Sequence, residues 1–136
     1  MTQTARILAI ITISLIATSV FGESYWLGNR FSPQQCVAIK EGQHLAKRKL
    51  CTITYDIRMV NGLYQVSGRM VFKAQYVPAN AHEVELQVLL MDEEFVCREQ
   101  LDLRSKIENR QALFSFVTED IPTHRYVRTY FVVHYR

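Results

Sequence analysis

The chain has 136 residues, with 16 Lys or Arg against 13 Asp or Glu and a net charge of +3 at neutral pH. That length holds one domain at most, and so mild a charge is too small to argue for nucleic acid, where a strongly basic face is expected. No internal repeat, low-complexity tract or second domain is visible.

The first 22 residues read as a secretory signal. Met1–Arg6 carries one arginine, Ile7–Phe21 is almost unbroken apolar sequence, and Val20-Phe21-Gly22 sets small residues at the −3 and −1 positions of a cut before Glu23. The rival reading is an uncleaved single-pass anchor. A spanning helix needs about 20 apolar residues, and this run is shorter and ends on a glycine and an acid. Either reading puts the remainder outside the cytoplasm, periplasmic or secreted, with membrane contact only if the segment is uncleaved. Cleavage would remove Arg6 and leave 15 Lys or Arg against 13 Asp or Glu.

Residues 23–49 read as an aromatic lead-in, Tyr25, Trp26 and Phe31, followed by one short helix. Ser32-Pro33-Gln34-Gln35 has the form of a helix start: serine as cap, proline in the first turn, and Gln35 placed to reach back. The helix is expected from Pro33 to Glu41, with Gly42 as its stop.

The β-sandwich domain is expected over residues 50–136. From Leu50 the period switches to two. Asn61-Gly62 suits a two-residue type I′ turn, which pairs Val60 with Leu63, Met59 with Tyr64, Ile57 with Val66, Tyr55 with Gly68 and Ile53 with Met70. That register gathers Ile53, Tyr55, Ile57, Met59, Tyr64, Val66, Met70 and Phe72 on one face, and a slip of one residue would undo it. Further strands are predicted at Val84–Met91, Phe95–Arg98, Leu101–Arg104, Ala112–Val117 and Arg125–Tyr135, with Asp92-Glu93-Glu94 as a turn. About seven short strands with one short N-terminal helix indicate a mainly β protein, an antiparallel immunoglobulin-like β-sandwich.

Catalytic signatures are missing: there is no Gly-x-Ser-x-Gly, His-Glu-x-x-His, phosphate-binding glycine loop or Cys-x-x-Cys. Asp92-Glu93-Glu94 lacks the alternating ligands and glycine of a calcium loop. Met59, Met70, Met91, His82, His124 and His134 are candidate copper ligands, but no Met-x-Met or His-x-His pair concentrates them, and Met59 and Met70 have core parity. No cofactor or metal is expected, and no enzymatic activity.

Three cysteines in an oxidising compartment allow one disulfide and a spare thiol. A Cys36–Cys51 bridge would tie the helix to the sandwich and contribute about 3 kcal/mol; Cys51–Cys97 is the alternative. In the last strand, Val127, Thr129, Phe131, Val133 and Tyr135 share the parity of the core. Tyr126, Arg128, Tyr130, His134 and Arg136 face outward, mixing cations with aromatic rings as protein interfaces do. These five are the candidate partner-binding residues.

Val66-Ser67-Gly68-Arg69-Met70-Val71-Phe72, then Val77-Pro78-Ala79-Asn80-Ala81, then a strand from Val84 ending in Asp92, is similar to small exported β-sandwich lipoproteins of the pilotin type. Bacterial immunoglobulin-like modules share the glycine strand and the Leu-x-Asp strand. The resemblance spans about half the chain and implies a chaperone role toward secretion-system outer-membrane rings. The chain departs from that pattern in having no lipidation cysteine after the signal. The expected function is therefore an exported, non-catalytic protein-binding sandwich, an accessory or chaperone-like subunit of a cell-envelope assembly with a protein partner and no nucleic acid. The alternative is a periplasmic small-ligand or copper-binding protein.

Overall fold

The computed structural model describes residues 25–136; the predicted signal, Met1–Gly22, lies outside the described residues. Eight strands follow in order: β1 (Val37–Ala38), β2 (Gly42–Lys47), β3 (Cys51–Val60), β4 (Leu63–Phe72), β5 (Ala81–Met91), β6 (Cys97–Lys106), β7 (Gln111–Glu119) and β8 (Tyr126–Tyr135). They form two four-stranded sheets, one ordered β1-β8-β5-β6 and the other β2-β3-β4-β7. All pairings are antiparallel.

The β3–β4 hairpin has the register that its turn dictates. Asn61 (φ 52°) and Gly62 (φ 78°) both take positive φ, as a type I′ turn requires. Val60 then meets Leu63, Tyr55 meets Gly68, and Ile53 meets Met70. Ile53, Tyr55, Ile57, Val66, Met70 and Phe72 are all buried between the sheets, while Met59 and Tyr64 near the hairpin tip are half-buried. Sheet-on-sheet packing of this kind needs one apolar face per strand, and period-two alternation supplies it.

Gly68 has a specific role in this core. It lies between Tyr55 on β3 and Phe114 on β7 in the ladder. The Phe114 ring crosses the space a side chain would fill: a Cβ on Gly68 would stand 2.1 Å from Phe114 Cζ. From there the ring meets Tyr55 edge-on, with centroids 6.1 Å apart. An aromatic from the neighbouring strand thus covers the glycine and extends the core across it.

The expected helix over Pro33–Glu41 does not form. Its start is present, as a single 3-10 turn over Pro33–Gln35 in which Gln35 Oε1 accepts the Ser32 N–H at 3.3 Å. Cys36 is then already extended, and Val37 and Ala38 pair with Val127 and Tyr126 of β8. Ile39 donates to Arg125 O at 2.9 Å and is buried. A capping signature is local, whereas β8 offers unpaired backbone groups and a core site for Ile39, and the tertiary contact prevails. At Gly42 the φ of +126° turns the chain toward β2 in the opposite sheet. The sandwich therefore includes residues 37–47, ahead of the boundary at Leu50 that the sequence pattern indicated.

The expected Cys36–Cys51 disulfide is also absent: Cys36, Cys51 and Cys97 are free thiols. Cys51 points into the core between the sheets, whereas Cys36 packs against the second apolar cluster, on the outer face of the β1-β8-β5-β6 sheet. Cys97, the alternative partner, is in that outer cluster as well. Cys51 thus belongs to a different apolar cluster from either of the other two.

Candidate binding surface on the last strand

Alternation along β8 sorts its side chains as expected near the middle of the strand. Val127 and Thr129 are buried between the sheets, and Tyr126, Arg128 and Tyr130 lie on the other face. Toward the end the pattern loosens, and Tyr135, of core parity, is 47% exposed.

The outer face of β8 is covered by the chain's own N-terminal segment. Gly28 donates to Cys97 O at 2.9 Å, Cys97 donates to Asn29 O at 2.8 Å, and Phe31 donates to Phe95 O at 2.9 Å. These bonds fasten residues 28–31 beside the start of β6 and bring the aromatics over β5 and β8. Trp26 stacks on Tyr130 with centroids 4.4 Å apart and planes 6° apart, and its Nε1–H donates to Gln87 Oε1 at 2.9 Å. Phe31 meets both rings, at 5.8 Å from Trp26 and 6.2 Å from Tyr130. Phe95, held at φ 64°, stacks on Tyr126 at 4.3 Å. Beneath them Leu89 and Met91 are fully buried.

Arg128 lies 4.7 Å from the Tyr130 centroid and donates from Nη1 to Gln35 O at 2.9 Å. Arg48, from the β2–β3 turn, approaches the same ring at 5.9 Å and donates from Nη2 to Thr129 O. Thr129 Oγ1 also bonds the Tyr55 hydroxyl at 2.8 Å in the core. Burial pushes the Tyr55 phenol up to about 12, outweighing its bond to Thr129 and the nearby guanidinium charges. The other two predicted residues stand apart. His134 Nε2 is 3.0 Å from Glu85, which Arg104 also holds at 2.7 Å, and Arg136 pairs its backbone with Asn80.

Tyr126, Arg128 and Tyr130 thus form one site with Trp26, Phe31, Phe95 and Arg48, which the sequence pattern did not connect to it. A signal was available. Val88-Leu89-Leu90-Met91 is apolar at every position, so Leu89 and Met91 must be buried on the face opposite the main core, and something has to cover them.

Among the described residues no three His, Cys, Asp or Glu side chains converge as a metal site. Of the candidate copper ligands, Met70 and Met91 are fully buried. His124 is engaged with Thr118 Oγ1 at 2.6 Å through Nδ1 and with Glu99 Oε1 at 2.9 Å through Nε2. That hydroxyl–imidazole–carboxylate row has the connectivity of a nucleophile relay. Thr118 is fully buried, however, so its hydroxyl meets no substrate, and the row satisfies polar groups within the fold.

Asp92 is a turn staple. Its Oδ1 accepts the Glu94 and Val96 amides at 2.9 and 3.1 Å, and its Oδ2 accepts Arg98 Nε at 2.7 Å. Burial raises its pKa, but the Arg98 bond and the two amides outweigh that, so the carboxyl titrates below the ordinary aspartate value. A depressed folded-state pKa gives stability that is complete above about pH 4 and is lost as the pH falls through the folded value. Asp92→Asn is expected to flatten that acid limb in urea unfolding series between pH 5 and about pH 2.5, and an unchanged limb would remove Asp92 from the account.

No family model matches the chain, and neither a curated protein nor a solved structure matches it.

Proposed function

We propose that the chain is an exported, non-catalytic β-sandwich that works by protein–protein contact, periplasmic or secreted, as an accessory or chaperone-like subunit of a cell-envelope assembly. The observation that carries this reading is the edge of β8. Its inner neighbour is β5, but on the other side, among the described residues, β1 pairs only with Val127 and Tyr126. Arg125 O and Thr129 O point to that side, toward Ile39 and Arg48, so by alternation the backbone groups of Phe131 and Val133 face it too. Val132 and Tyr135, 58% and 47% exposed, flank the row. An extended partner segment can add there by main-chain pairing and take its specificity from side-chain contacts.

The order of connections favours an immunoglobulin-like assignment. The chain crosses from β4 to β5, turns back as β6, then returns with β7 beside β4 and β8 beside β5. Strands B, C, C′, E and F of that fold are neighbours in the same way. In this alignment β1 takes the place of the last strand over two residues only, which leaves the rest of that place open. The resemblance to pilotin-type chaperones agrees with a partner-binding role; of the five residues expected to carry it, Tyr126, Arg128 and Tyr130 pack with the chain's own N-terminal segment, and His134 and Arg136 stand apart from them.

The test is site-specific photocrosslinking in intact cells, with a crosslinking residue at Val132 and, as control, at Arg58 on the outer face of the opposite sheet. One discrete protein adduct is expected from position 132, absent at 58 and diminished by Val133→Pro, which removes an amide from the free edge without touching the β5 ladder. Adducts of equal yield at both positions, or none at 132, would overturn the edge as the docking site.

A further inference from the structure

We propose that the cleft between β1 and β2 binds a single oxyanion, a carboxylate or phosphate group, between the guanidinium groups of Arg48 and Arg128. This site goes beyond the strand edge and does not depend on it. The cleft holds about 200 Å³ where the two sheets part, and Gln34, Gln35, Cys36 and Lys47 line it together with the two arginines. Among the described residues no aspartate or glutamate lines it.

The charge balance there is unusual. Arg48 and Arg128 approach the same Tyr130 ring, and neither makes an ion pair among the described residues. Each gives one bond to a backbone carbonyl, Thr129 O and Gln35 O, which orients the guanidinium without neutralising it. Arg128 Nε is buried with no hydrogen-bond partner among the described residues, an unmet donor at the cleft. Burial lowers the pKa of Arg48, and the charge of Arg128 lowers it further, as expected of two like charges held close. The other titratable groups do not compensate. Burial raises the Cys36 thiol above its ordinary value and the Tyr55 phenol to about 12, so both are neutral near pH 7.

Two uncompensated cations in a partly dry site repel each other, and structures tolerate that where a ligand completes the arrangement. Guanidinium groups present paired N–H donors that match the oxygens of a carboxylate or phosphate. Tyr130 and the two backbone carbonyls fix both forks in advance, so little side-chain freedom remains to be lost on binding.

The experiment is an NMR titration of the 15N-labelled chain with sodium phosphate, and separately with sodium acetate, at ionic strength held constant with sodium chloride. Saturable shifts confined to the Arg48 and Arg128 Nε–H signals and the Thr129 amide are expected. The fitted affinity should fall at least tenfold in Arg48→Gln and in Arg128→Gln, fall less in Arg48→Lys, and hold in Arg58→Gln. Saturation by phosphate alone identifies a phosphate site, and saturation by acetate identifies a carboxylate site. Failure of the wild-type chain to saturate with either anion, or an equal loss in Arg58→Gln, would overturn the proposal, and the wild-type titration decides this even if a variant does not fold.

Discussion

Gly68→Ala is expected to destabilise the sandwich by about 2–3 kcal/mol, with Gly68→Val costing more. At most strand positions an added methyl group is neutral or helpful, because glycine is a poor strand residue. Here the methyl would coincide with the Phe114 ring. The ring cannot swing away cheaply: it is mostly buried, and its far edge meets Tyr55, which is bonded to Thr129 in the opposite sheet. Displacing Phe114 would therefore disturb the contact between sheets as well as one strand. The measurement is the urea midpoint at constant m-value. Phe114→Leu should remove much of the penalty in the double variant, a coupling that neighbours in one packing unit show. A Gly68→Ala protein with an unaltered midpoint would mean that the ring relaxes freely.

Tyr130→Ala should release the N-terminal segment from the outer face of the sheet at a cost of about 2 kcal/mol, below the 3–5 typical of a fully buried aromatic because Tyr130 is only half-buried. Trp26 is the only tryptophan in the chain, so its fluorescence reports the event directly. In the native protein the indole is stacked and its N–H is bonded to Gln87. The variant should show emission moved toward that of a solvated indole and faster hydrogen exchange at the Gly28, Phe31 and Cys97 amides. Amides of the β3–β4 hairpin should keep their protection, since none of their bonds passes through this face. If emission does not move, Phe31 and the backbone bonds to Phe95 and Cys97 suffice to hold the segment.

The contrast between these regions explains what was legible from sequence. The hairpin could be read residue by residue because two local signals, the Asn61-Gly62 turn and period-two alternation, demand the same register. β8 could be divided into faces for the same reason. The helix over Pro33–Glu41 was a misreading because its start signal is local, while the outcome depended on β8, a strand made from the far end of the chain. β2 escaped notice because it is an edge strand: only Leu45 and Ala46 are apolar in Gly42–Lys47, and Leu45 is exposed. Parity shows that Tyr126, Arg128 and Tyr130 share a face, but which segment covers that face depends on long-range pairing. The cysteines show the same limit, since sequence spacing does not reveal that Cys36 and Cys51 belong to different apolar clusters.

The pairing of β1 with β8 also sets the order in which the fold can be completed. Val37 and Val127 belong to the first and last of the described strands, so the sheet they share has no closing strand until β8 has been made. Strands β2, β3 and β4 form a meander with short turns and can assemble early, as low-separation contacts do. β5 and β6 must wait with one edge of β5 uncovered and without the Tyr126 and Tyr130 rings that pack in the cluster of Leu89 and Met91. Nascent or truncated chains that stop before Tyr126 would present that sticky edge to any neighbour, and aggregation or capture by a holdase is the expected fate of such species. For this protein, removing the last dozen residues would do more than shorten it: the chain would stall as a half-sandwich.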